Sequence, residues 1–254
     1  MPTVVNIYRY PVKGLGPDGL DSAKLLPGQT IAGDRRYAIE NGPSGFDPAH
    51  RAYLPKNRFL MLMRNERLAA LRTSFDEATP TLAVEVDGRE AARGDLRTPE
   101  GRAAIERFFA AYCADELRGP PKVLNALGHS FSDVARKVVS VINLASVAAL
   151  ETIIGAPVHP LRFRANLYVA GWPAWAELDL VGREIPVGPS ARLKVVKRIV
   201  RCAATNVEPG TGIRDLDIPH SLFRACGHSD CGVYAEVTAG GTIAAGDPIG
   251  VVED

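Results

Sequence analysis

Leu193-Lys194-Val195-Val196-Lys197-Arg198-Ile199-Val200 runs directly into Arg201-Cys202-Ala203-Ala204-Thr205-Asn206-Val207-Glu208-Pro209-Gly210-Thr211-Gly212. The first eight residues are rich in β-branched side chains and predict a strand. Pro209, with its fixed φ, and Gly210 and Gly212, with their permissive φ, then end regular structure. Cys202 is thereby delivered from a strand end into a polar loop, beside Arg198 and Arg201. Nearby positive charge favours the thiolate, the form that attacks electrophiles and binds soft metals. A small cysteine filling a strand position is the commoner fate of this residue, and one cysteine carries little specificity by itself.

Outward from this stretch the chain reads as mainly β. Strands are expected at residues 137–142, 166–169, 185–187, 232–237 and 242–252, with a short helix near 219–225. A helix over 145–154 buries Val147, Leu150 and Ile154 on one face, and Gly155 stops it. Nearer the start, residues 4–10, 21–26, 36–40, 68–73 and 81–86 are β-like runs separated by Gly and Pro. Residues 42–55 predict a long exposed loop and 57–65 a helical turn. Thr98-Pro99-Glu100 is a helix start, with Thr98 as cap and Pro99 at the first helical position. Ile105, Phe108, Phe109 and Tyr112 follow at the spacing of one helix face and are read as core. Arg118-Gly119-Pro120-Pro121 breaks the chain, which places an N-terminal β-rich domain at 1–119 and a β-barrel-like domain with short helices at 120–254. The fold class is mainly β, in the α+β sense, with no internal repeat.

The 254 residues are 46% hydrophobic and 23% charged, with a net charge of +1, as expected of a globule with a sizeable core and no broad basic field for nucleic acid. No apolar run approaches the roughly 20 residues of a membrane span. The first residues lack the pattern of a secretion signal, so a cytoplasmic protein without a membrane association is expected. Four cysteines without framework spacing fit a reducing compartment.

Three patterns resemble sites and are set aside on context. Gly14-Leu15-Gly16-Pro17-Asp18-Gly19 satisfies G-x-G-x-x-G, but a turn and β-like runs follow where a dinucleotide fold needs a long helix. Cys226, His228 and Cys231 are three donors where a closed zinc site needs four, so Cys226 is read as a helix end and Cys231 as a strand start. His129 with Ser130 or Asp133 lacks a nucleophile elbow and reads as a loop. Cys113, beside the apolar stripe of its helix, is read as core.

Four segments in order carry a resemblance: Tyr10-Pro11-Val12-Lys13, Gly33-Asp34-Arg35-Arg36-Tyr37, Arg162-Phe163-Arg164-Ala165-Asn166-Leu167, and Arg201-Cys202 through Gly212. Gly232 to Val237 and Gly241 to Ile249 extend it. The chain resembles the MOSC family with its N-terminal β-barrel domain, in the branch of the amidoxime-reducing component and its bacterial counterparts. The resemblance implies the molybdenum cofactor, a pterin carrying molybdenum and a phosphate. It maps Lys13, Arg35, Arg164 and Asn166 onto positions that hold the organic part, with Arg201, Ser146 and Thr205 as further cofactor-binding candidates, and Cys202 onto the metal ligand and catalytic residue. Arg and Lys suit a phosphate and Asn a pterin edge, while thiolate suits a thiophilic metal. Gly14 stands where a hydroxyl residue often follows the lysine, and Ala165 where proline is usual.

The activity so implied is an oxidoreductase that reduces N-hydroxylated compounds or N- or S-oxides by oxygen-atom transfer. Its electrons come from an external protein, cytochrome b5-like, ferredoxin-like or a flavoprotein, because no redox-centre motif of the chain's own is visible. The alternative is a carrier of the cofactor or of sulfur, with Cys202 as a persulfide. MOSC domains also occur attached to cofactor sulfurases, hence a family-level association with pyridoxal phosphate, but the pyridoxal-phosphate half of a sulfurase has no match in these residues. A third reading is an interaction module that has lost the cofactor.

Overall fold

The computed structural model describes residues 1–250. Its first part contains strands β1 (Thr3–Arg9), β2 (Asp18–Leu20), β3 (Ser22–Leu25), β4 (Tyr37–Ile39), β5 (Arg72–Asp76), β6 (Thr81–Val86) and β7 (Arg89–Asp95), followed by helix α1 (Pro99–Tyr112). Thr98 caps α1 by accepting from the Gly101 amide at 3.0 Å, and Pro99 opens the helix. Ile105 and Phe109 are fully buried against β5–β7, with Phe108 and Tyr112 partly buried beside them. Gly94 and Gly101 let α1 lie this close to β7, because a Cβ on Gly101 would come within 2.1 Å of the Asp95 carbonyl.

The second part adds β8 (Val123–Asn125), β9 (Val139–Asn143), α2 (Leu144–Ile154), β10 (Leu167–Ala170), β11 (Glu184–Val187), β12 (Ala191–Val200), α3 (Ile218–Cys226), β13 (Asp230–Ala239) and β14 (Gly241–Ala244). The fold is mainly β, a curled half-barrel with few helices. Its large sheet has the order β11-β12-β13-β9-β10-β1-β2, with β9 and β10 parallel and the other pairs antiparallel. β1 and β2 come from the start of the chain, so both parts build this sheet. β3 pairs with β14 and β4 with β8 in the same way. One core lies inside the curl, around Val4, Ile7, Val141, Val169, Leu193 and Val233. A second lies under α1, and a third between the sheet and helices α2 and α3.

Several expectations shift. The β-like run at 68–73 begins as a 3-10 turn, Glu66–Ala70, because Leu68 and Leu71 are both buried three residues apart, a helical spacing, and β5 starts only at Arg72. β7 gives no sequence signal because only Gly94 of its seven residues is buried, leaving no apolar alternation to read; pairing with β6 makes it a strand. β2 and β8 are three residues each. The run at 242–252 stops as a strand at Ala244, where Gly246 at φ +92 and Pro248 turn the chain; residues 251 and 252 lie outside the described part. Gly14 to Gly19 leads into β2, with no helix to receive a pyrophosphate.

Candidate functional site

Strand β12 carries three register shifts, between Arg192 and Leu193, between Val195 and Lys197 and between Arg198 and Val200, and ends at the loop holding Cys202. Such bulges re-aim side chains beside sites. This loop faces a cleft of about 250 Å³ whose other walls are the Lys13 and Arg35 turns, the segment 56–63 of the first part, residues 132–134, and the turn at 162–166.

Arg35 and Arg164 both adopt left-handed backbone, φ +50 and +52, a conformation costly for residues with a Cβ. Their guanidinium groups lie 4.8 and 4.4 Å from the centre of the Tyr10 ring. Arg35 donates to Asp34 Oδ2 at 2.5 Å and to the Arg164 carbonyl at 3.0 Å, while Asp34 Oδ1 accepts from the Tyr10 amide at 2.9 Å. Arg164 has no ion-pair or hydrogen-bond partner for its side chain among the described residues. Burial lowers its pKa, and Arg35 adds to that, although Tyr10 works in the other direction.

Lys13 Nζ donates to the Phe131 carbonyl at 2.9 Å and to Asp133 Oδ1. Burial lowers the pKa of Lys13, with Asp133 partly offsetting it. Burial also pushes the Asp133 carboxyl up, but Lys13, Lys56 and Arg35 outweigh this and hold it at about 2. Asp133 therefore belongs to the cleft as the counter-ion of Lys13 rather than to a triad. His129 instead packs on the rings of Phe46 and Phe131, and Ser130 donates to the Asp34 carbonyl.

Cys202 begins a 3-10 turn, Ala203–Asn206, and its carbonyl accepts from the Thr205 amide at 3.0 Å and Thr205 Oγ1 at 2.9 Å. Its Sγ is 3.3 Å from Lys56 Nζ. Arg198 does not supply the expected charge at the thiol: it donates to the Leu178 carbonyl at 3.0 Å and to Asp179 at 3.3 Å. Lys56 takes that place, and nothing local singles it out in sequence. Burial works against its charge, but Asp133 and Cys202 raise its pKa overall.

Two further arginines fix this loop. Arg162, whose side chain is 1% exposed, donates to the carbonyls of Thr205 and Asn206 and to Glu208 at 3.0 Å and Asp215 at 2.7 Å. Arg214 joins the loop to the first part, donating to the Ala203 carbonyl at 2.9 Å, the Met63 carbonyl at 2.8 Å and Glu66 at 3.0 Å.

Lys13, Arg35, Arg164, Asn166, Arg201, Cys202 and Thr205 thus all line one cleft, although they come from four separate segments. Their free valences differ. Asn166 Oδ1 accepts from the Ser140 amide and hydroxyl at 3.0 and 2.8 Å, and its Nδ2 donates to the Tyr8 carbonyl at 3.1 Å. Arg201 donates to the Cys231 carbonyl at 2.7 Å and the Phe163 carbonyl at 3.1 Å. Ser146 lies outside the cleft, donating to buried Glu177 at 2.8 Å and accepting from the Trp175 amide at 2.8 Å. The other cysteines also lie elsewhere. Cys226 is exposed at the end of α3, and Cys231 is buried in β13 with burial pushing its thiol up to about 12. Cys113 is core at the end of α1, pushed up to about 11.

Among the described residues no helix is long and apolar enough to cross a membrane. Residues 127–250 match the MOSC domain, a family tied to molybdenum-cofactor binding, and residues 1–116 match the MOSC N-terminal beta barrel domain. Mitochondrial amidoxime-reducing component 1 of Mus musculus is 30% identical over 121 residues, 43% of this chain and 35% of that protein. The alignment therefore spans about a third of that relative's length. Among solved structures, the YUAD protein of Bacillus subtilis aligns over 98% of this chain and 94% of its own, at 14% identity and a TM-score of 0.45. YiiM of Geobacillus stearothermophilus aligns over 45% of this chain and 54% of its own, at 21% identity and a TM-score of 0.36. With one family domain matched from residue 1 and the other through residue 250, this chain belongs to the MOSC family.

Proposed function

We propose that this protein binds the molybdenum cofactor in the Cys202 cleft and reduces N-hydroxylated compounds or N- or S-oxides with electrons from an external redox protein. The reading is carried by one observation: the Cys202 thiol and the Arg164 guanidinium, which has no ion-pair or hydrogen-bond partner among the described residues, line the same cleft from different segments. A half-buried cation beside a second arginine is costly in isolation and fits a bound anion.

The residues suit the group. Arg164 offers a full set of donors to a phosphate, and Arg35, already oriented by Asp34, adds a second cation behind it. Lys13, fixed by Phe131 and paired with Asp133, adds a polar donor to the wall with its charge offset by that carboxylate. Asn166 retains only one free N–H, so its main effect is to hold β1 to the Ser140 strand and keep the wall in shape. Cys202 Sγ is the protein's soft donor for the metal, with Lys56 Nζ 3.3 Å away. The bound cofactor supplies the two-electron chemistry that removes oxygen from the substrate. Each turnover of a hydroxylamine takes up two electrons and two protons and releases an amine and one water. Met61 and Leu62, both buried, give the cleft an apolar stretch of wall.

The test is metal and pterin analysis of protein made in a cofactor-competent host, followed by turnover with reduced viologen. About one molybdenum per chain and many turnovers of an amidoxime, hydroxylamine or N-oxide, absent from both Cys202→Ser and cofactor-free protein, are expected. Cyanide-labile sulfur on Cys202 without turnover would establish the carrier instead. Absence of both metal and pterin after incubation with cofactor would end the proposal.

A further inference from the structure

Four cations of the cleft have no carboxylate within ion-pair distance among the described residues: Arg164, Arg201, Lys56 and Lys197. Lys13, Arg35, Arg162 and Arg198 are each paired. On the cofactor reading above, a phosphate monoester brings close to two negative charges and the Cys202 thiolate one more. That leaves about one positive charge without a match, and it lies toward the mouth, where Lys197 is exposed on β12.

Lys56 is not a loose surface lysine. Its 3-10 turn, Lys56–Arg58, is held by Phe59, 2% exposed in a core with Ala38 and Phe131, by the Asn41 amide donating to the Arg58 carbonyl at 3.0 Å, and by Arg118 donating to the Asn57 carbonyl. Its ammonium is therefore held at Cys202 by the packing of this turn. Lys197 pairs across the sheet with Tyr234, which also lines the cleft. Met63 and Val200 give the same mouth an apolar lip, and Val200 is 65% exposed.

We propose that Lys197, the cation left unmatched, selects anionic substrates, an N-oxygenated compound with an apolar body and a carboxylate, with Lys56 adding to the positive field of the cleft. This rests on the reductase reading for its reaction but not for its binding preference. The exposed Lys197 ammonium at the mouth draws an anionic group in by charge and pairs with it there, and the Lys56 ammonium, 3.3 Å from the thiol, adds to the field without being the anion's partner.

The experiment compares a neutral aryl amidoxime with its para-carboxylate, using cofactor-loaded protein normalised to molybdenum content. Both turnover and direct calorimetric binding to the oxidised protein are measured. The carboxylate compound should be preferred about tenfold, the range of one charge-assisted hydrogen bond. Lys197→Gln should remove most of that preference and Lys56→Gln a smaller part of it, and Lys197→Gln should change binding of the neutral compound less than about twofold. The preference should also shrink as salt rises from about 0.05 to 0.5 M. If Lys56→Gln loads poorly, Lys197→Gln alone decides the matter. Equal binding of both compounds, or a preference that survives both substitutions, overturns the inference while leaving the reductase intact. Lysine-dependent binding of the carboxylate without reduction of either compound supports the inference and removes the reductase.

Discussion

Arg162 and Arg164 are two residues apart and answer differently to the same substitution. Replacing Arg162 by Gln removes a guanidinium that is 1% exposed and leaves Glu208 and Asp215 facing each other without a cation, with two carbonyls short of a donor. Hydrogen bonds to charged groups contribute roughly 1.5–3 kcal/mol each, and removing one partner of a buried pair costs about 3–5 kcal/mol. The two carboxylates are about one-third exposed, which weakens their share through solvent screening, and Gln keeps one donor. The expected loss is about 3 kcal/mol, or roughly 6–12 °C in Tm for a chain of this size. Arg164→Gln, in contrast, removes no ion-pair or hydrogen-bond partner among the described residues, and relief of repulsion from Arg35 offsets the lost contact with the Tyr10 ring, so stability should change by less than about 1 kcal/mol. Its cost falls on the cofactor, whose apparent Kd should rise roughly 10- to 100-fold once the charge-assisted hydrogen bonds of this guanidinium are gone. Urea unfolding followed by the fluorescence of the two tryptophans gives the first quantity, and molybdenum retained on dialysis the second. A neutral Arg162→Gln, or an Arg164→Gln that costs more than about 2 kcal/mol, would show that the roles of tie and free cation are assigned wrongly.

Thiol titration of native, cofactor-free protein at pH 8 should label two cysteines, Cys202 and Cys226, and one in Cys202→Ser; Cys113 and Cys231, raised to about 11 and about 12 by burial, should react only on unfolding. Labelling of Cys231 before Cys202 would refute the placement of the reactive thiol. Burial raises the pKa of Glu177, and the hydrogen bonds from Ser146 and Asn143 only partly counter it. The native state therefore keeps a proton that the unfolded chain releases near pH 4.3, so stability should fall as pH rises from there through the raised folded value. Glu177→Gln should abolish that slope, and superimposable stability curves for the two proteins between pH 4 and 8 would rule it out.

Much of the secondary structure is legible because its signals are local. The Thr98-Pro99 cap, the Gly155 stop and the β-branched run before Cys202 each act within a few residues, and each forms what it predicts. β7 is not legible, since a polar strand on an edge shows no alternation. The segment 56–63 is readable only as a turn in a loop region, and nothing near Lys56 tells that its ammonium meets a thiol 146 residues away. Ser146 looks suited to a ligand by its place at a helix start, whereas the structure directs its hydroxyl to the buried Glu177 carboxylate.

The donor types and their order are written in the chain itself: a lysine after Tyr10-Pro11-Val12, an arginine after Asp34, the arginines around Phe163, and Cys202 at a strand end. Which of them keep a free valence is settled by packing alone. Arg162, Arg201 and Arg164 look alike in sequence, but the first two meet acceptors on distant segments, and Arg164 meets none among the described residues. The physical reason is that a cation's availability depends on which carbonyls and carboxylates the fold brings within about 3 Å of it. Here those partners lie far along the chain, as Asp133 does 120 residues from Lys13 and Asp215 does 53 residues from Arg162.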